Sequence, residues 1–197
     1  MGTRNLTCVF IDNDFKVAQY GQWDGYPSGQ GATLLELLAK LDLDTLKKNV
    51  RASRWATDEE VEAAWAEAGA DPSAEFVPME VADKLAKNHP EWHRDTAAEI
   101  VEMLGEGPLA LRNNLWFATD GVFCEWAYVV DLDAMTLEVY AGCNKTPGKD
   151  HGKFASLPRV EGTNPKYSTV VLLKTYPISQ LPSVEQLVAD CTKKEEE

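Results

Sequence analysis

The aromatic, glycine-rich stretch QYGQWDGYPSGQG at residues 19–31 has the composition of a ligand-binding loop. Tyrosine and tryptophan offer large, rigid faces with one polar tip, and glycines let a ligand approach the backbone closely. The stretch therefore predicts a pocket for a flat, polar or amide-bearing molecule, with Arg4 on the preceding strand adding a fixed positive charge. The predicted ligand-binding residues are Arg4, Tyr20, Gln22, Trp23, Asp24, Tyr26 and Ser28.

Two known phosphate-binding motifs do not fit this stretch, although it lies between a predicted strand and a predicted helix. A P-loop needs a lysine followed by serine or threonine, and no lysine occurs between Lys16 and Lys40. The dinucleotide fingerprint needs a third glycine at the position that Leu34 occupies. Two interpretations remain, which are a helix N-terminus with free backbone N–H groups and a turn that only joins strand to helix.

Cys143 is the cysteine whose surroundings best suit a reactive thiol, because Lys145 and His151 follow it in a segment rich in glycine and proline. It is the candidate catalytic nucleophile, although the sequence places no evident base beside it. The other three cysteines stand in apolar sequence, where free thiols usually pack in a core. Their scattered spacing predicts neither a disulfide nor a metal site, and we expect no cofactor.

Three carboxylates, Glu125, Asp131 and Asp133, share one face of a predicted strand, because side chains alternate between the two faces. This pattern is typical of the solvated or helix-facing side of a half-buried strand. A catalytic carboxylate pair is the alternative interpretation.

Charge limits the partners that the protein can have. The 197 residues carry a net charge of -13, which disfavours binding to nucleic acid. Residues 57–106 hold fourteen acidic and three basic residues, so this acidic helical segment forms either a solvated surface or a surface that binds a partner protein. The sequence has neither an apolar run long enough to span a membrane nor the layout of a signal peptide, which predicts a cytoplasmic protein without membrane partners.

Hydrophobic periodicity predicts where strands and helices lie. The strand-like runs are 5–11, 15–20, 114–119, 122–132, 136–142 and 167–176. Capping-box pairs at Thr33 and Glu36 and at Thr57 and Glu60 predict helix starts, and a last helix follows Ser183. Hairpin-linked strands separated by a block of helices predict one α+β domain over residues 1–197, with a mainly antiparallel sheet and helices on one face.

The segments MGTRNL and VAQYGQWDGYPSGQG resemble the signature of a small, uncharacterised family found in viruses of bacteria and in some microbes. The resemblance covers about the first 40 residues, and CEWAYVVDLDAMTLEVY matches more loosely. The family implies a constrained site but no activity. A viral protein of this kind would act in the cytoplasm of the host cell.

The N-terminus also resembles the N-terminal nucleophile hydrolases of the bile-salt-hydrolase type, whose chains begin Met-Cys-Thr-Arg on a hairpin strand. Thr3 and Arg4 are retained here, and the hairpin is again followed by an aromatic and aspartate segment, QWDGY. This resemblance implies a sandwich of antiparallel sheets and helices. The position of the nucleophile is Gly2, which has no side chain that could attack an amide.

Three functions follow from these observations. The first is a non-catalytic or degenerate protein that binds and sequesters a nucleotide-like or amide-bearing metabolite or signal of the host. The second is an amide or ester hydrolase that uses Cys143 or an N-terminal residue. The third is an acidic inhibitor that binds a host protein through residues 57–106.

Overall fold

The computed structural model describes residues 2–74, 76–145 and 149–192. The strands are β1 (Asn5–Ile11), β2 (Asp14–Gly21), β3 (Arg54–Trp55), β4 (Ala110–Leu111), β5 (Trp126–Asp131), β6 (Thr136–Ala141) and β7 (Val171–Pro177). The helices are α1 (Ala32–Lys40), α2 (Leu43–Ala52), α3 (Asp58–Ala68), α4 (Met79–Asn88), α5 (Ile100–Glu106) and α6 (Val184–Cys191). None of these helices has the length and apolar character that crossing a membrane requires.

Five strands form the central sheet in the order β2-β1-β5-β6-β7, and β3 pairs with β4 in a separate two-stranded sheet. Within the central sheet, β1 pairs with β5 in parallel, and the other pairs are antiparallel. The register aligns one row of residues across the sheet, which is Gly21, Asn5, Trp126, Ala141 and Val171. We call this row the Asn5 end of the sheet.

The two faces of the sheet are covered differently. Helices α1, α2, α5 and α6 pack on one face, where Val9, Ile11 and Tyr128 meet their leucines. The opposite face, with Leu6 and Cys8, is covered by irregular segments around Phe117 and Phe154. The expected α+β class, with a mainly antiparallel sheet and helices on one face, is therefore confirmed.

The predicted start of α1 is wrong. Residues Pro27–Gly31 form one π-helical turn that continues directly into α1 at Ala32. Thr33 caps nothing, and its hydroxyl instead donates to the carbonyl of Gly29 at 3.3 Å. Because the chain is already helical from Pro27, there are no free helix N–H groups at Thr33.

Two other local predictions have opposite outcomes. The capping box of Thr57 and Glu60 is confirmed, since each side chain accepts a hydrogen bond from the other residue's backbone N–H. The strand expected at 114–119 is wrong, because Leu115–Thr119 forms 3-10 turns. The side chain of Asn113 accepts the N–H of Leu115 at 3.0 Å, and Phe117 is buried against the sheet, so the apolar residues are used for packing without pairing as a strand.

The acidic segment at 57–106 consists of two different parts. Helix α5 belongs to the main core, whereas α3 and α4 pack on each other through Ala64, Ala68 and Leu85. Near the connection between these two helices, Phe76 and Met79 are 78% and 79% exposed. Large exposed apolar side chains are typical of protein-binding surfaces. Binding of a host protein through this segment stays a prediction.

A buried cluster of charges joins the segment after β6 to the sheet. The Lys153 ammonium lies 2.6 Å from the Asp131 carboxylate, 3.8 Å from that of Glu138 and 4.1 Å from the centre of the Phe10 ring. Asp131 is only 2% exposed. Burial raises the pKa of the Glu138 carboxyl, and a hydrogen bond from Tyr140 and the charge of Lys153 oppose the rise. The expectation that Asp131 lies on a solvated or helix-facing side is wrong, because the side chain is buried on the face without helices.

Replacing Lys153 by methionine tests this cluster. The substitution leaves the Asp131 carboxylate buried without its cation, so we expect the free energy of unfolding in urea at pH 7 to fall by about 3 kcal/mol. The control is Lys16→Met, since Lys16 forms an exposed ion pair with Asp14 and its loss should cost less than about 1 kcal/mol. Equal losses of unfolding free energy in the two variants would contradict the role of Lys153 as the cation that compensates the buried Asp131 carboxylate.

Candidate functional site

The glycine-rich stretch is fixed to the Asn5 end of the sheet by three hydrogen bonds. The N–H of Gly25 donates to the carbonyl of Thr3 at 2.9 Å, and the buried Tyr128 hydroxyl donates to the carbonyl of Gly25 at 2.8 Å. The Asn5 amide donates to the carbonyl of Trp23 at 3.2 Å. A Cβ atom on Gly25 would lie 2.7 Å from the Thr3 carbonyl oxygen, so this close approach requires glycine. The stretch is thus a rigid part of the fold.

A cavity of about 430 Å³ lies between this stretch, the Asn5 end of the sheet and the C-terminal end of α6. Its lining residues are Tyr26, Pro27, Ser28, Glu125, Trp126, Ala141, Gly142, Cys143, Val188, Cys191 and Thr192. The volume is that of a site for a small organic molecule. The structure therefore brings together two predicted ligand-binding residues, Tyr26 and Ser28, and the candidate nucleophile Cys143.

The wall of the cavity is mainly apolar, and its polar groups are few. Among the described residues, Glu125 supplies the carboxylate of the lining, and its Oε1 accepts the backbone N–H of Arg4 at 3.2 Å. The described lining residues include no lysine or arginine. Within the part of the chain that the structure describes, the hydroxyls of Tyr26 and Ser28 and the indole N–H of Trp126 form no hydrogen bond with the protein. These described residues therefore suit a molecule that donates N–H groups, and the Glu125 charge disfavours an anion beside it.

Cys143 follows β6 and lies at the edge of the cavity. Its backbone is left-handed, with φ 58°, and its N–H donates to the carbonyl of Gly121 at 2.6 Å. The Sγ atom is exposed and lies 3.9 Å from the carbonyl oxygen of Val122. His151 follows in the sequence; its Nδ1 lies 3.0 Å from the Val170 carbonyl oxygen, and no hydrogen bond joins its ring to Cys143 among the described residues. The thiol thus lies at the cavity, and no base among the described residues contacts it.

Five of the predicted ligand-binding residues lie outside the cavity lining. Arg4 places its guanidinium 4.4 Å from the centre of the Phe123 ring, and the Tyr20 hydroxyl donates to the Gln22 side chain at 2.6 Å. Trp23 is 45% exposed and packs against Gly2. Arg4 and Tyr20 belong to the face of the sheet opposite α6, because they alternate with residues of the helical face.

Asp24 also lies outside the cavity lining and has a mainly conformational role. It has a left-handed backbone, with φ 53°, and its carbonyl accepts the N–H of Gln30 at 2.8 Å. Its exposed side chain forms no hydrogen bond among the described residues. Aspartate tolerates this backbone conformation better than most residues, which accounts for its place in the turn.

The structure gives a reason for glycine at position 2. A Cβ atom there would lie 2.5 Å from the carbonyl oxygen of Gln22 and would overlap the Trp23 ring. Thr3, the next hydroxyl along the chain, is 3% exposed. Neither residue offers a nucleophile to a substrate in this arrangement, so a hydrolase would have to use Cys143.

Two parts of the cavity wall could not be identified from the sequence. The sequence patterns predict a strand that contains Glu125 and Trp126 and a last helix near Val188 and Thr192, but they give no sign that these residues line a cavity. Their roles depend on the packing of α6 against the π-helical turn at Pro27–Gly31. No local pattern reports such a contact between segments more than 150 residues apart.

Selective alkylation tests the different surroundings of the four cysteines. Burial raises the pKa of the Cys8 and Cys124 thiols, and that of Cys191 to about 11, whereas Cys143 is exposed. Because thiolates react and thiols do not, iodoacetamide at pH 8 should add one group to each native chain. The mass spectrum of Cys143→Ser should show no addition. Labelling of that variant would contradict the burial of the other three thiols.

Adding a methyl group at position 2 tests the close packing of Gly2. Gly2→Ala should lower the free energy of unfolding by about 1–2 kcal/mol and increase the quenching of Trp23 fluorescence by acrylamide, because the ring must move. Gly107→Ala is the matched control, since a Cβ atom at that position would have open space within 4 Å. The control should be neutral or stabilising by about 0.5 kcal/mol. If both variants behave alike, position 2 can accept a side chain.

Comparisons with known proteins do not add a family to this description. No family model, no curated protein and no solved structure matches the chain. The resemblances to the viral family and to the N-terminal nucleophile hydrolases therefore stay predictions, and the function has to be argued from the site itself.

Proposed function

We propose that the protein binds a small, amide-bearing molecule in the cavity at the Asn5 end of the sheet and does not act on it chemically. The observation that carries this proposal is the cavity itself, with Tyr26 and Ser28 on one side and Glu125 and Cys143 on the other. An apolar wall with a few convergent polar groups is the usual form of a site for a small molecule.

The polar groups of the cavity favour an amide or amine over a phosphate. The Glu125 carboxylate accepts hydrogen bonds from N–H groups, and its Oε2 atom has no hydrogen-bond partner among the described residues. The Tyr26 and Ser28 hydroxyls can donate to a carbonyl oxygen. An anionic ligand would meet the Glu125 charge, and the lining residues that the structure describes offer it no cation. Of the two ligand classes expected from the sequence, the amide-bearing class therefore fits the cavity better than the nucleotide-like class.

Hydrolysis is the alternative function, and the position of Cys143 at the edge of the cavity favours it. A catalytic thiol needs a base that removes its proton, and no such group contacts Sγ among the described residues. Position 2 has no room for a nucleophile. These observations support binding without catalysis, as in a degenerate relative of the hydrolases. In a viral protein such binding would sequester a metabolite or signal of the host cell.

Protection of Cys143 from alkylation provides a direct measurement of binding. We expect benzamide to slow the reaction of Cys143 with iodoacetamide, with a dissociation constant of about 1 mM, an affinity typical of a molecule of this size. Benzoate has the same ring and a carboxylate in place of the amide, so the Glu125 charge should prevent its binding. The readout is the alkylation rate, measured by mass spectrometry.

Two matched variants locate the effect. Val188→Trp fills the cavity from α6 and should abolish protection by benzamide, whereas Ala189→Trp adds the same ring at the next, exposed position and should leave protection unchanged. Protection that is equal for benzoate, or that persists in Val188→Trp, would contradict the proposal. Release of ammonia from benzamide that stops in Cys143→Ser would establish the hydrolase instead.

A further inference from the structure

Among the residues that the structure describes, the Arg4 side chain has no carboxylate partner, although the chain is strongly acidic. No carboxylate oxygen lies within 4 Å of its guanidinium among the described residues, and its buried Nε–H has no hydrogen-bond partner there. The backbone N–H of Arg4, in contrast, donates to the Glu125 carboxylate. In a chain with a net charge of -13, a partly buried arginine with no counter-charge in the described structure indicates a site for an anion from outside the chain.

One exposed aromatic ring contacts this guanidinium, and a second lies two residues away along the chain. Phe123 stacks on the guanidinium at 4.4 Å and is 47% exposed. The Trp23 ring is 45% exposed and packs over Gly2, which precedes Arg4 by two residues. Rings that remain half exposed beside a cation can stack on a flat ligand that carries a negative group.

Tyr20 and Gln22 belong to a chain of hydrogen bonds that ends at the backbone of a second arginine. The Tyr20 hydroxyl donates to Gln22, whose backbone N–H donates to the carbonyl of Arg94 at 3.0 Å. Burial raises the pKa of the Tyr20 hydroxyl, and the charges of Arg4 and Arg94 oppose the rise. The surface therefore combines positive charge, hydrogen-bonding groups and aromatic rings.

We propose that the surface formed by Arg4, Tyr20, Gln22, Trp23 and Phe123 is a second binding site, which takes the anionic group of a flat, ring-bearing molecule. The Arg4 guanidinium pairs with the phosphate or carboxylate, and the ring of the ligand stacks on Trp23 or Phe123. The site lies on the opposite face of the sheet from the cavity, and Glu125 separates the two. It does not depend on the proposed function, because it uses other side chains and the opposite ligand charge.

Phenyl phosphate is a suitable probe, with phenol as its uncharged match. The titration is followed in NMR spectra through the indole N–H signal of Trp23. This signal is assigned as the one that disappears in Trp23→Phe. We expect phenyl phosphate to shift this signal in a saturable way and phenol to leave it unchanged. Arg4→Gln should weaken binding about tenfold, and Arg4→Lys about threefold, because lysine keeps the charge but lacks the two-pronged donor.

Arg51→Gln is the matched control, because it removes the same charge at the opposite end of the sheet, where Arg51 pairs with Asp12. It should change the affinity by less than about twofold. Equal affinities of Arg4→Gln and Arg51→Gln, or equal shifts with phenol and phenyl phosphate, would overturn the proposal. A thermal melt of each variant checks that it folds. If Arg4→Gln does not fold, the affinity of Arg4→Lys, which keeps the charge, is measured as the second test.

Alkylation of Cys143 in the same samples separates the two sites. Phenyl phosphate should shift the Trp23 signal without slowing the reaction of Cys143 with iodoacetamide. Protection of Cys143 by phenyl phosphate, with no dependence on Arg4, would place the anion in the cavity and would overturn this inference. If benzamide fails to protect Cys143 but phenyl phosphate still shifts the Trp23 signal, the proposed binding of amides in the cavity is contradicted and the anion site is supported.

Discussion

The parallel pairing of β1 with β5 is the interaction on which both candidate sites depend. It places the beginning of β1 beside the beginning of β5, with Asn5 opposite Trp126. Each of these strands is also part of an antiparallel hairpin, so the end of β2 and the end of β6 must lie at the same end of the sheet. The glycine-rich stretch after β2 and the Cys143 segment after β6 are neighbours for this reason. If β1 and β5 were antiparallel, these two segments would lie at opposite ends of the sheet.

The Asn5 end of the sheet separates two chemical environments. On the helical face the cavity has an apolar wall and one carboxylate, and on the other face Arg4 stands beside aromatic rings. Glu125 lies between them, since its side chain lines the cavity and accepts the backbone N–H of Arg4. Side-chain alternation along β1 places Arg4 on the face of Leu6 and Cys8, because residues two positions apart point to the same side.

The sequence predicted the fold class because it depends on local signals, and two of the residues it singled out, Tyr26 and Ser28, line the cavity. Alternating apolar residues identified both hairpins, and the turn-forming and aromatic residues identified the stretch at 19–31. The sequence did not separate Arg4, Tyr20, Gln22 and Trp23 from Tyr26 and Ser28, because that division follows from how the sheet is assembled. The same holds for the α6 wall of the cavity and for Lys153, whose partner Asp131 is 22 residues away and was expected on a solvated or helix-facing side. Contacts of this kind depend on how distant segments pack together, and they cannot be predicted from residue types and local spacing.

The long sequence separation across the β1 and β5 junction also has a kinetic consequence. The two hairpins can form early from neighbouring residues, but the contact between Arg4 and Glu125 closes a loop of 121 residues. Closing so long a loop has a high entropic cost before any contact compensates it, so joining the hairpins is expected to limit the rate of folding. Because the cavity and the Arg4 surface exist only after that step, a ligand at either proposed site would bind the complete fold alone and would stabilise it.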